Sequence, residues 1–179
     1  MGDIMASISW NAKITGFATE IPTVASRAEA FKAIYQEHQN RIYNLAFYLT
    51  DNEMTAETLS TRVFANTFAQ NATPSSEILD RALVNELRSA MSMEIGILVL
   101  DEPVCEEQSN ARRNVKRAVL ERAVVSLPAT ERIIFLMHDV EGYDHSRIAR
   151  TLGINTDESK RGLHQARLAV RRLVSEIKF

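Results

Sequence analysis

An all-α fold of two small helical domains joined by a linker is what the sequence predicts, and three observations carry that prediction. Apolar residues recur every three or four positions through most of the chain, the period of an amphipathic helix. No segment shows the strict apolar–polar alternation of a half-buried strand. A stretch holding Gly96, Pro103 and the acidic residues Asp101, Glu102, Glu106 and Glu107 interrupts the helical pattern, as an acidic linker does. The chain then divides into an extension over 1–25, a helical domain over 26–94, a linker over 95–111 and a second helical domain over 112–179.

The extension carries Gly2, Gly16 and Pro22 without a sustained period. It is expected to be poorly ordered, with Trp10 and Phe17 as the residues able to dock. Ser26 and Glu29 form a capping box that predicts the start of the first helix. Phe31, Ile34, Tyr35, Ile42, Leu45, Ala46 and Leu49 follow as its core face, and the polar run Thr50–Glu53 ends it. A second helix is expected over Thr55–Gln70, with Leu59, Val63, Phe64 and Phe68 inward. Thr73 and Pro74 suit the cap and first position of a third, which runs to about Met93 with Ile78, Leu79, Ala82, Leu83, Leu87 and Met91. Three such helices bury one bundle core. Ile95–Leu100 fits either a docked extended segment or the frayed end of the third helix.

Four more helices are predicted in the second half. The first covers Arg112–Ser126, with Val115, Val119, Ala123 and Val124 inward, and stops at Leu127-Pro128 because proline cannot continue the hydrogen-bond ladder. Another runs Ala129–Val140 and stops at Gly142. A short one starts at the cap Asp144 and ends near Thr151, and the last runs from Asn155 almost to Phe179.

The segment from Asp144 to Arg172 is the most informative. Helix, tight turn Leu152-Gly153-Ile154-Asn155, longer helix is the layout of a helix-turn-helix, whose second helix enters a major groove. Asn155 and Glu158 make a capping pair at its start. Lys160, Arg161, His164 and Arg167 line its early turns, followed by Arg171 and Arg172, a stripe suited to backbone phosphates. Arg161 and Gln165 are the candidates for base edges. The plainer reading is a solvated basic face whose late arginines complement the helix dipole.

Charge distribution supports two surfaces with different partners. Met1–Leu100 holds 7 basic and 11 acidic residues, whereas Arg112–Phe179 holds 14 and 8. The single cysteine, Cys105, excludes an internal disulfide and Cys-rich zinc sites, and Glu106 and Glu107 beside it disfavour a reactive thiolate. No apolar run approaches the roughly 20 residues of a membrane helix, and the start of the chain lacks a signal-peptide pattern. A cytoplasmic protein without membrane insertion is expected. His138, His145, Asp139, Glu141 and Asp144 cluster in sequence, but Gly142 separates two differently directed helices, so they read as surface residues around a turn and not as a metal site. The aromatic residues Phe31, Tyr35, Tyr43, Phe47, Phe64 and Phe68 read as core packing. No phosphate-cradling glycine loop, nucleophile elbow or paired-carboxylate motif is visible, so no enzyme activity and no cofactor are expected.

Leu127-Pro128-Ala129-Thr130-Glu131-Arg132, Val140-Glu141-Gly142-Tyr143, Ile148-Ala149, Leu152-Gly153-Ile154 and Leu163-His164-Gln165-Ala166-Arg167 together resemble region four of bacterial extracytoplasmic-function sigma factors. Phe31–Leu49, Thr55–Leu59 with Val63-Phe64, and Leu79, Arg81 and Asn85 are similar to region two of the same family. The resemblance spans about residues 30–178. It implies core RNA polymerase and promoter DNA as partners, an anti-sigma factor as a further one, and promoter-directed initiation of transcription as the activity. It implies polymerase contacts at Glu57 and Arg62, a place near the melted strand for Asn85 and Arg88, and upstream duplex contacts for Lys160, Arg161, His164 and Arg167. Departures lie mostly in region two. Thr55 and Thr58 replace usually acidic positions, Ser92 and Met93 usual arginines, and Ile78 a frequent tryptophan that would stack on bases. Glu158 and Gly162 depart in region four. The thin charge of the third helix leaves open a sigma-like module that binds polymerase or an anti-sigma factor without melting DNA. A third reading, a repressor with an unrelated bundle, would require dimerisation.

Overall fold

Seven α-helices and no strand make up the described residues, 24–91 and 117–176, of this computed structural model. The extension, the linker with Ile95–Leu100, Val115 and Cys105 lie outside them.

In the first unit α1 (Val24–Thr50), α2 (Glu53–Gln70) and α3 (Ser76–Met91) pack as a bundle. α1 begins ahead of Ser26, which therefore lies inside the first turn and does not precede the helix as expected. Tertiary contacts carry that turn: Arg27 Nη2 donates to the Phe68 carbonyl at 3.3 Å, and its guanidinium lies over the Phe31 ring. Phe31 stacks on Phe68 with ring centroids 4.3 Å apart. Tyr35, expected inside, is 45% exposed and touches Phe64 only edge-on. The chain turns into α2 through Asp51, at φ 51, a left-handed conformation that Asp tolerates better than most residues. Asn52 then caps α2 by accepting from the Thr55 N–H at 2.9 Å, so α2 starts two residues before Thr55.

α3 starts at Ser76, not at Pro74. Ser75 Oγ accepts from the Ile78 N–H at 3.4 Å, so the capping role passes to Ser75 and Thr73-Pro74 belong to the loop. Ile78, expected on the core face, is 36% exposed.

The second unit comprises α4 (Arg117–Val125), α5 (Ala129–Phe135), α6 (His145–Leu152) and α7 (Thr156–Glu176). α5 does not continue as an α-helix to Val140. Leu136–Val140 widens into a π-helical turn, in which the Glu141 N–H reaches the Leu136 carbonyl and the Tyr143 N–H the Met137 carbonyl. Such a turn inserts an extra residue into the helix.

Buried apolar side chains of both units form one contiguous cluster running from Ile42 to Val170. Two polar junctions frame it. At the end of α1, Arg132 Nη1 donates to the carbonyls of Tyr48 at 3.3 Å and Leu49 at 3.1 Å, groups left without partners by the helix terminus. At the other junction Asp80 on α3 is fully buried and binds Arg41 of α1 and, at 2.6 Å, Arg147 of α6. Arg41 also donates to the Tyr143 hydroxyl, and the Arg147 guanidinium lies 3.7 Å from the centre of the Tyr143 ring. Burial, with help from Asp80, pushes the Tyr143 phenol up to about 12, so it stays neutral. A carboxylate so buried is tolerated only because both oxygens are paired.

Candidate nucleic-acid interface

α6 and α7 are set against each other by local chemistry that is readable residue by residue. Asp144 caps α6 by accepting from the Arg147 N–H at 2.7 Å. Gly153 ends it in the left-handed region at φ 69, and the N–H groups of Gly153 and Ile154 both reach the Ala149 carbonyl. Asn155 and Glu158 then form a reciprocal box, each backbone N–H bonded to the other's side chain at 2.8 Å. Ser159, Gly162, Leu163, Ala166 and Val170 face inward. That fixes the opposite face of α7 as the one presented outward.

Of the expected duplex-contacting side chains, Lys160, Arg161 and Arg167 are exposed, whereas His164 and Gln165 are half-buried. Lys160 lies 3.3 Å from Asp157, one turn back. Arg167 is engaged more firmly, by two hydrogen bonds to Asp139 in the π-helical turn. Arg171 and Arg172 extend the exposed stripe.

The His138–Asp144 turn departs from expectation. Gly142, at φ 72, folds the chain back so that the His138 and His145 rings meet with centroids 4.8 Å apart. His145 Nδ1 is 2.9 Å from the buried Ser159 hydroxyl of α7, and His138 Nδ1 is 2.8 Å from Asp139. Burial lowers the His145 pKa, assisted by the positive field of His138, Lys160 and Arg167. Among the described residues no group of three or more His, Cys, Asp or Glu converges as metal ligands would.

In the first unit Asn85 is exposed on α3, but Arg88 Nη2 donates to the Leu152 carbonyl of α6 at 2.6 Å. Arg81 pairs with Glu77 at 2.8 Å. Glu57 and Arg62 are both exposed on α2 but are not brought together. Glu57 lines a groove with Tyr35, Gln39 and Tyr43, and Arg62 a separate hollow with Met54, Thr58 and Ala90. Sequence reading passed over Arg132, Arg147 and Arg150, which all cross between the units; Arg150 reaches Glu77 at 3.2 Å. Their only local signal is cationic side chains next to apolar core positions.

No helix among the described residues is long and apolar enough to cross a membrane. Residues 112–170 match the family model Sigma-70, region 4. The chain is 26% identical over 151 residues to the ECF RNA polymerase sigma factor SigE of Mycolicibacterium smegmatis, a match covering 77% of this chain and 59% of that protein. It therefore spans about three fifths of the length of that relative. Its fold is that of the sigma factor RpoE from Bartonella quintana, solved in complex with the anti-sigma factor NepR. The TM-score is 0.63 at 17% identity, over 84% of this chain and 99% of that one.

Proposed function

We propose that this chain, a homologue of extracytoplasmic-function sigma factors, is itself an RNA polymerase sigma factor, a non-catalytic cytoplasmic subunit that directs core polymerase to promoters. The observation that carries this reading is the capped helix-turn-helix of α6 and α7 within the matched region, presenting Lys160, Arg161 and Arg171 outward. α7 enters the major groove of an upstream promoter element, with its early cations on phosphates and Arg161 and Gln165 at base edges. The exposed face of α2, with Glu57 and Arg62, meets polymerase. Asn85 and Arg88 of α3 lie toward the melted strand, and an anti-sigma factor is the partner expected to oppose all of this. The two helical units, 26–94 and 112–179, act as separate reading heads in the polymerase complex.

The test is transcription by core polymerase with the purified chain on a promoter it selects from genomic fragments. Transcripts should start at a defined site, and the double charge reversal of Lys160 and Arg161 to Glu should abolish them. A double variant that initiates as well as the parent overturns the reading.

One observation favours a second reading, a sigma-like module that binds polymerase or an anti-sigma factor without melting DNA. Both basic side chains of α3 are engaged, Arg81 with Glu77 and Arg88 with the Leu152 carbonyl, whereas single strands favour a cationic groove. Permanganate footprinting of polymerase–promoter complexes separates the two: reactive thymines support the first reading, and protection of duplex DNA or polymerase binding without them supports the second.

A further inference from the structure

We propose that Asp80, clasped between Arg41 and Arg147, is a latch that holds the two helical units closed on each other and withholds Arg88 from any ligand until they part. That the ligand of Arg88 is DNA rests on the sigma-factor reading; the closure itself does not.

Ser76, Asp80 and Arg88 stand at multiples of four along α3 and so share one side of it. α6 lies along that side in the same sense. Arg147, near its start, donates to Ser76 Oγ and Asp80 Oδ2, Arg150 meets Glu77, and the Leu152 carbonyl at its end takes the Arg88 guanidinium. Every one of these contacts joins one unit to the other. The carboxylate and the guanidinium that clasp at the centre lose their hydration on closing and regain it on opening, so the ion pair adds little net hold while fixing the docking geometry. An apolar residue at position 80 would seal the same junction far more firmly.

The arrangement is also asymmetric in a way that suits reversal. Asp80 Oδ1 keeps its Arg41 partner within the first unit, so release of Arg147 does not strand a bare buried charge. The Arg147 side chain sits at the rim, 27% exposed, where water or a phosphate reaches it. Residues 92–116, between the units, allow a separation of roughly 80 Å at full extension, so covalent connection does not oppose opening.

Small-angle X-ray scattering on the full chain, with circular dichroism as the folding control, tests the latch. Arg147→Gln is expected to convert a compact particle into a two-lobed, longer one with unchanged helical content. A folded Arg147→Gln chain as compact as the parent overturns the proposal. If that variant loses helix, Glu77→Arg, an exposed change that sets like charge against Arg150 and Arg147, takes its place; opening supports the latch and a compact particle overturns it. A second arm measures affinity for a fluorescent mixed-sequence single-stranded oligonucleotide. A gain of threefold or more in Arg147→Gln, reversed in Arg147→Gln/Arg88→Gln, supports release of Arg88 toward DNA. Opening without that gain leaves the latch standing and counts against the DNA-binding reading of α3.

Discussion

Arg167 reaches back from α7 to Asp139 through two hydrogen bonds of 2.6 and 3.0 Å, the forked geometry in which a guanidinium and a carboxylate fit best. Burial raises the Asp139 pKa, but the bonds from Arg167 and His138 outweigh it and leave the carboxyl below its usual range. One cation of the outward stripe is thereby balanced inside the protein. Asp139→Ala should release it. Under the sigma-factor reading, the plot of log affinity against log salt for duplex promoter DNA steepens by roughly 0.9, the value of one added phosphate contact. An unchanged slope would show that Arg167 stands away from the backbone. Because the pair is partly exposed, the stability cost should stay at or below about 1 kcal/mol.

The reciprocal Asn155–Glu158 box separates folding from binding at one place. Asn155→Ala removes an N-cap and should cost about 1 kcal/mol in chemical denaturation. Glu158→Gln keeps a side chain that completes the box but removes a negative charge from the groove-facing end of α7. Its stability should be nearly unaltered while duplex affinity rises. Equal affinity in parent and variant would place the start of α7 outside the groove.

Gly153 isolates a backbone effect. Its φ is 69, and a methyl group added there meets nothing within 4 Å. Gly153→Ala should therefore cost about 1 kcal/mol through left-handed strain alone, and Gly153→Asn less, since Asn tolerates that region. Thermal melts of the two variants side by side check the order.

His145 gives the second unit a dependence on pH. Burial and the charges of His138, Lys160 and Arg167 depress its pKa below 6.5, against a smaller opposing pull from Asp144. Above pH 6.5 the imidazole is neutral both folded and unfolded, and its contribution is fully present. As pH falls below that value the unfolded chain takes up a proton that the folded chain resists, so stability is lost. Melts between about pH 7.5 and 5, compared with His145→Gln, should show a steeper acid-side decline in the parent; parallel curves would contradict this account.

What the sequence disclosed follows the range over which each force acts. Asp144, Gly153 and the Asn155–Glu158 box were legible because a cap binds groups within four residues of itself, and the helix-turn-helix followed from them. Apolar spacing revealed α2 and α7 for the same local reason. Thr73-Pro74 misled because Ser75, two residues on from Thr73, is an equally good cap, and only the packing of α3 decides between them. Tyr35 and Ile78 hold helical spacing yet sit at the margin of their apolar faces, where a shift of one position decides burial. The Asp80–Arg147 pair was invisible: the partners lie 67 residues apart, and nothing beside Asp80 marks it as buried. Arg167 was read correctly as exposed and cationic, but its partner lies 28 residues away across a turn whose π-helical pitch has no sequence signature.

That widened turn at Leu136–Val140 sets a phase between two parts of the chain. It holds one residue more than an α-helical turn would need, and Tyr143 follows directly after it. Deleting a single residue there would restore ordinary pitch and swing everything downstream by about 100°, carrying the Tyr143 phenol away from Arg41. The number of residues in one loop of helix thus acts as a gear tooth. A chain shortened by one at this point could keep all seven helices and still lose the alignment that brings its halves into mesh.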